Sequence, residues 1–143
     1  MKKVFWDANI GIDFVINRVP WCSLAANIFD MAVDGKVLLH CSTLSLGTMS
    51  YYMERQKMSY GDIVNKLSNF ISVCAPLPVD ISVAKSALKS SFKDFEDAMQ
   101  YFAAMNEGCD VIITRDKRGF VESTIPVMEP QEFLDEFENT ETE

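Results

Sequence analysis

Val111-Ile112-Ile113-Thr114 is an unbroken β-branched run that leads straight into Arg115-Asp116. A strand exposed on one face would alternate polar and apolar residues, whereas a run of this kind belongs to a strand covered on both faces, as in a parallel sheet. Working outward, Asp94 is placed to cap a helix from Phe95 to Asn106, which Gly108 closes just before that strand. The same grammar opens the chain: Val4-Phe5-Trp6 is a short apolar strand, Asp7 follows it, and Ile12, Val15 and Ile16 then recur at helical spacing.

Between these ends the pattern repeats. Ser23 is placed to cap a second helix through Leu24, Ile28, Met31 and Ala32, ended by Gly35, and Val37-Leu38-Leu39 is a second strand. Ser42 or Thr43 starts a third helix through Leu46, Met49, Tyr52 and Met53, and Ser59 a fourth through Ile63, Val64, Leu67 and Phe70. Ile71-Ser72-Val73-Cys74 reads as a strand stopped by Pro76 and Pro78, Asp80 caps a further helix, and Ile125-Pro126-Val127 is at most an edge strand. Strands separated by helices predict a three-layer α/β/α sandwich around a central, mainly parallel sheet, occupying residues 1–137. A last helix through Phe133 and Phe137 gives way to an acidic polar tail, residues 138–143, expected to be frayed and disordered.

Composition narrows the function. At 143 residues the chain suits one domain, which buries enough surface to fold without disulfides or a structural metal. No apolar run is long enough to span a bilayer, and only three apolar residues separate Lys2-Lys3 from Asp7, too few for a signal peptide. Cys22, Cys41, Cys74 and Cys109 are widely spaced and His40 is the only histidine, so zinc spacing is absent and the cysteines read as buried thiols in a reducing cytoplasm. The net charge of −8 opposes a broad electrostatic footprint for nucleic acid, so any polyanion has to be met locally, by a bound divalent cation or a basic partner.

Ligands of parallel sheets bind beyond the carboxyl ends of the strands, which gives the acids there their interest. Asp7 follows the first strand, Asp116 lies two residues past the Val111–Thr114 run, and Asp97 stands in the first turn of the helix after Asp94. Three carboxylates at one edge repel one another unless a cation neutralises them, and Mg²⁺ or Mn²⁺ suits oxygen ligands of this kind. Taken singly, Asp7 reads equally as an N-cap, Asp97 as a first-turn acid favoured by the helix dipole, and Asp116 as an ordinary loop residue.

Together these segments resemble the PIN domain family. The opening Asp7-Ala8-Asn9 is similar to its Asp-x-Asn, and Asp94-Phe95-Glu96-Asp97-Ala98-Met99-Gln100 resembles its Asp-Phe-Glu-Asp-Ala-Leu-Gln. Gly108-Cys109-Asp110, Ile112-Ile113-Thr114-Arg115-Asp116, Phe120 and Ile125–Leu134 follow its closing pattern in order and spacing. The resemblance implies an Mg²⁺- or Mn²⁺-dependent endoribonuclease, in bacteria most often the toxin of a toxin–antitoxin pair of the VapC kind. Asp7, Asp97 and Asp116 would be its metal ligands, and the metal would lower the pKa of a bound water that attacks the scissile phosphate. Asn9, Asp94 and Thr114 would be auxiliary, while Arg115, Lys117 and Arg118 are candidate RNA contacts. It further implies an RNA substrate, a homodimer and an antitoxin protein partner, with Tyr51, Tyr52, Met49 and Met53 as a possible partner-facing patch; Tyr52 and Met53 read better as core.

Two departures stand out. Family members commonly carry an acid early in the helix after the second strand, where this chain has Gly47 or Thr48, and often an acid or amide before the phenylalanine, where it has Gly119. Glu54 lies nearly two turns on and reads as a surface acid, Asp94 as a cap, and Glu96 as turned outward. The missing acid and the negative charge favour an alternative reading, a PIN-like module that binds RNA or protein without cutting. A phosphoryl-accepting receiver would need Thr and Lys on separate strands, but Thr114 and Lys117 flank Asp116 itself.

Overall fold

The computed structural model describes residues 1–142. Five strands form one sheet in the order β3-β2-β1-β4-β5, every neighbouring pair parallel: β1 (Lys3–Trp6), β2 (Leu38–Ser42), β3 (Cys74–Leu77), β4 (Val111–Ile113) and β5 (Val127–Met128). Seven helices accompany them: α1 (Ala8–Val15), α2 (Cys22–Val33), α3 (Thr43–Arg55), α4 (Tyr60–Ile71), α5 (Ile81–Lys89), α6 (Phe95–Glu107) and α7 (Pro130–Thr142). The three-layer α/β/α expectation is met.

Alternation along the strands builds two cores. Val4, Trp6, Leu39, Cys41, Val111 and Ile113 face one layer, where they pack with Ile10, Ile28, Met49, Ile63, Phe70 and Phe133 from α1, α2, α3, α4 and α7. Phe5 and Ile112 face the other, against Tyr101, Ala103 and Ala104 of α6. Burial of a side chain of Leu, Ile or Phe size contributes about 1.5–3 kcal/mol, so these two layers supply most of the favourable free energy. Within the first, Trp6 lies among Phe14, Phe29 and Phe70 at ring separations of 6.1–6.5 Å.

Local signals place most helix ends. Ser42, Ser59, Asp80 and Asp94 each accept a backbone N–H of the first turn through the side chain, and Gly108 leaves α6 at φ +75°. Three segments differ from expectation. α2 begins at Cys22, not after Ser23, because the carbonyl of Arg18 takes the N–H groups of Trp21 and Cys22 and no side-chain cap is used. The third strand starts only at Cys74, since Ile71 still belongs to α4, and it runs through Pro76; as β3 is an edge strand, the N–H that proline lacks is not required by a neighbour. The acidic segment expected as a disordered tail continues α7 to Thr142, with Thr140 Oγ1 donating to the Glu136 carbonyl; Glu143 lies outside the described residues.

The chain runs outward from β1 to β2 and β3, then returns to add β4 on the other side of β1. The carboxyl ends of β1 and β4 therefore flank a topological switch point, where open parallel sheets hold their ligands. Asp7 and Thr114 follow those two ends directly.

Candidate functional site

Asp7 occupies the N-cap position of α1, yet its carboxylate makes no close capping hydrogen bond there, with the Asn9 amides as minor partners. Instead Oδ1 accepts from Gln100 Nε2 at 3.1 Å and Oδ2 from Thr114 Oγ1 at 2.9 Å. The N-cap reading of Asp7 thus describes its backbone more than its side chain. Gln100 is fully buried and its Oε1 also accepts the Ala8 N–H at 2.9 Å, so one amide ties α6 to the start of α1 and aims the carboxylate. Thr114 Oγ1 in turn accepts the Asp116 N–H at 3.1 Å. Burial pushes the Asp7 carboxyl above its usual range, opposed by the hydrogen bonds from Gln100 and Thr114 and by the amides of Asn9.

A cleft of about 310 Å³ opens in front of it, lined by Asp7, Asn9, Thr48, Tyr52, Asp94, Glu96, Asp97 and Gln100. Asp97 enters from the first turn of α6, its backbone fixed by the Asp94 cap at 2.9 Å. Burial, and then the charges of Asp7, Asp94, Glu96 and Asp116, push its carboxyl up to about 7. Glu96 is raised as well, by burial and by the charges of Asp94 and Asp7. The expected outward turn of Glu96 is therefore corrected: it lines the cleft, because the first turn of α6 sets it beside Asp94 over the acidic opening.

Asp116 stands apart from this pair. Its carboxylate, 60% exposed, accepts from the backbone N–H and the Nε of Arg118, which hold it below the usual carboxylate range, although its charge still reaches Asp97. Among the described residues no three acidic, histidine or cysteine side chains stand together as a ready ligand set. Asp7 and Asp97 nonetheless fit a hard cation: both offer oxygen donors, and their mutual repulsion is what a cation relieves. Both Arg118 hydrogen bonds fall on Oδ1 of Asp116, so its other oxygen could complete the set.

The basic residues are mostly engaged. Arg115 Nε donates to Asp13 Oδ2 at 2.8 Å, and its guanidinium lies 3.8 Å from the Trp21 ring centroid. Arg18 Nε donates to the other oxygen of Asp13 at 2.7 Å. Lys117 pairs with Glu132 at 2.7 Å, and Arg118, 91% exposed, reaches only Asp116. Of the three predicted RNA contacts, Lys117 and Arg118 are exposed, whereas Arg115 ties the loop after β4 to α1. Trp21 correspondingly anchors its own loop beneath Arg115 and Arg18.

Sequence reasoning assigns no role to Gln100 or to the fully buried Asp13. A glutamine at helical spacing from Asp97, and an acid in the middle of an apolar helix, are the signals that point to them. Thr48 stands at the cleft wall on α3, its Oγ1 donating to the Leu44 carbonyl at 3.5 Å, and the acids lining the cleft come from the ends of β1 and α6 instead.

The comparisons agree with this architecture. A family model described as PIN domain matches residues 3–118. The chain is 24% identical over 139 residues to Ribonuclease VapC1 of Aquifex aeolicus (strain VF5), covering 94% of each. In structure it is similar to a chain of FitAcB from Neisseria gonorrhoeae, at TM-score 0.62 and 17% identity over 90% of this chain and 98% of that one. It is similar also to a chain of a toxin–antitoxin complex from Klebsiella pneumoniae, at TM-score 0.62 and 18% identity over 89% and 97%. A third likeness is to a chain of VapBC2 from Rickettsia felis bound to a DNA fragment from their promoter, at TM-score 0.60 and 14% identity over 89% and 97%. With the matched segment running from β1 through the loop that bears Asp116, the chain belongs to the PIN domain family.

Proposed function

We propose that this protein is a divalent-metal-dependent endoribonuclease, the toxin of a toxin–antitoxin pair. The observation that carries the reading is the pair Asp7 and Asp97: one carboxylate is buried, aimed by Gln100 and Thr114, and faces a second whose proton is held to about 7. A fold gains nothing from such repulsion unless a cation occupies the cleft. The ribonuclease relative and the toxin–antitoxin assemblies among its structural neighbours support the same reading.

Asp7 and Asp97 would hold Mg²⁺ or Mn²⁺, with Asp116 joining as RNA arrives. Such a cation supplies an activated water and neutralises charge on the phosphate. Hydrogen bonds from Gln100 and Thr114 favour the ionised form of Asp7 against its burial and aim it at the cleft, and Asn9 lends its amides to the same carboxylate. Arg118 is placed to exchange Asp116 for a backbone phosphate of the RNA, a trade that leaves Asp116 free. The acidic cleft would equally attract a basic segment of an antitoxin. A cytoplasmic homodimer is part of the same reading, and the half-exposed Tyr51 of α3 offers apolar surface for it.

A second reading keeps the fold without cleavage, as a module binding RNA or protein. Thr48 in place of an acid, and Asp116 turned to Arg118, are the features that favour it. Purified protein incubated with structured RNA and Mn²⁺ or Mg²⁺, beside EDTA and Asp7→Asn, separates the two. Cleavage that needs metal and Asp7 is the expected result; a folded protein that never cuts transfers the proposal to the binding module.

A further inference from the structure

The turn after β4 carries Gly119 to the first turn of α6, where it meets Asp97. A Cβ built on Gly119 would overlap Asp97 Oδ2 and come within 3.3 Å of Cγ. Nothing in the backbone asks for glycine here, since the left-handed glycines are Gly35 and Gly108. The absence of a side chain at position 119 is therefore matched to the carboxylate alone.

Hydrogen bonds and burial hold the backbone on both sides of this contact. The 3₁₀ turn Lys117–Phe120 is pinned by the Gly119 N–H to the Asp116 carbonyl at 3.3 Å and by the buried ring of Phe120. Asp97 is held through its N–H by Asp94 Oδ1. With both backbones fixed, χ2 rotation can move Oδ2 from a methyl group at 119, but Cγ at 3.3 Å is relieved only by rotation about χ1 of Asp97. That rotation would take the carboxylate away from its place at the cleft wall.

We infer that Gly119 is a positioning residue for Asp97: its bare backbone forms the wall against which the carboxylate rests at the cleft. The same contact leaves no room for any side chain at position 119 while Asp97 keeps this place. The functional part of this inference rests on the metal-site reading; the steric part does not.

Gly119→Ala tests it with two readouts, the χ1 rotamer of Asp97 from three-bond couplings in metal-free protein and the Mn²⁺ affinity by calorimetry. Gly61→Ala is the control, at a site where an added Cβ meets nothing within 4 Å. The expected result is a changed Asp97 rotamer and a loss of Mn²⁺ affinity of about 10- to 100-fold, the usual cost of disturbing a group that orients a metal ligand. An unchanged rotamer with wild-type Mn²⁺ affinity would overturn the role of Gly119 and leave the metal site standing. No Mn²⁺ binding by the wild type would sink the metal-site reading, while the rotamer still decides the steric claim. If Gly119→Ala is too unstable for calorimetry, melting temperatures of Gly119→Ala, Asp97→Ala and the double variant replace it. A penalty that vanishes in the Asp97→Ala background assigns the overlap to the carboxylate, and a penalty that persists refutes it.

Discussion

Asp97→Asn should make the metal-free protein more stable at neutral pH while abolishing metal-dependent cleavage. The Asp97 carboxyl ionises at about 7 against an ordinary 3.8, through burial first and then through the charges of Asp7, Asp94, Glu96 and Asp116. That gap amounts to about 4 kcal/mol at 1.36 kcal/mol per pKa unit. The group is half-exposed, so solvent and salt reduce the figure to about 1–2 kcal/mol. The negative charge at the start of α6 returns about 0.3–1 kcal/mol through the helix dipole, which asparagine forfeits. A net gain of about 1 kcal/mol remains, or roughly 3–5 °C in melting temperature for a domain of this size. Asparagine keeps the shape that rests on Gly119, so no packing change offsets it.

The pH dependence has a definite sign. Below the ordinary value of 3.8 the carboxyl is protonated in both folded and unfolded chains, and it costs nothing. As pH rises toward about 7 the unfolded chain gives up its proton first, so the wild type loses stability relative to Asp97→Asn; above that the difference is constant. Melts in EDTA at low ionic strength, from pH 4 to 8, should show the variant's advantage emerge across this window and shrink with added salt. A variant no more stable than wild type at pH 8 would refute the argument, because it would mean that the acidic cleft carries no repulsion for a cation to relieve.

Thr114→Val preserves shape but removes the hydroxyl that donates to Asp7 and accepts the Asp116 N–H. A hydrogen bond to a charged group contributes about 1.5–3 kcal/mol, so denaturant melts should show a loss of that order together with weaker Mn²⁺ binding; unchanged stability would refute it. Asp13→Asn leaves Arg18 and Arg115 without their shared, fully buried carboxylate and should cost about 3 kcal/mol, whereas Glu132→Gln, which breaks the exposed pair with Lys117, should leave the melt unmoved. Equal effects of the two would contradict the burial argument.

Signals confined to a few consecutive residues are legible in the linear chain. The caps at Ser42, Ser59, Asp80 and Asp94 and the αL glycine at 108 answer donors and acceptors within one turn, so their partners lie in the adjacent sequence. A local reading misplaces the third strand because Ile71 and Val73 are apolar and β-branched, yet the edge position that lets Cys74–Leu77 pair through Pro76 depends on strand order. Glu96 is misjudged for a similar reason: whether a first-turn acid faces solvent or a cleft depends on what stands opposite.

The amino-acid order by itself determined the parallel α/β layering and the choice of Asp7, Asp97 and Asp116 as the acids to watch, since β-branched runs, helical spacing and strand-end position are all written locally. Tertiary structure alone decided how those acids stand. Gln100 reaches Asp7 from 93 positions away and Thr114 from 107, Arg118 draws Asp116 aside, and Gly119 gives Asp97 its wall. A carboxylate's ionisation and direction are set by the groups within a few ångströms of it, and folding is what brings those groups together.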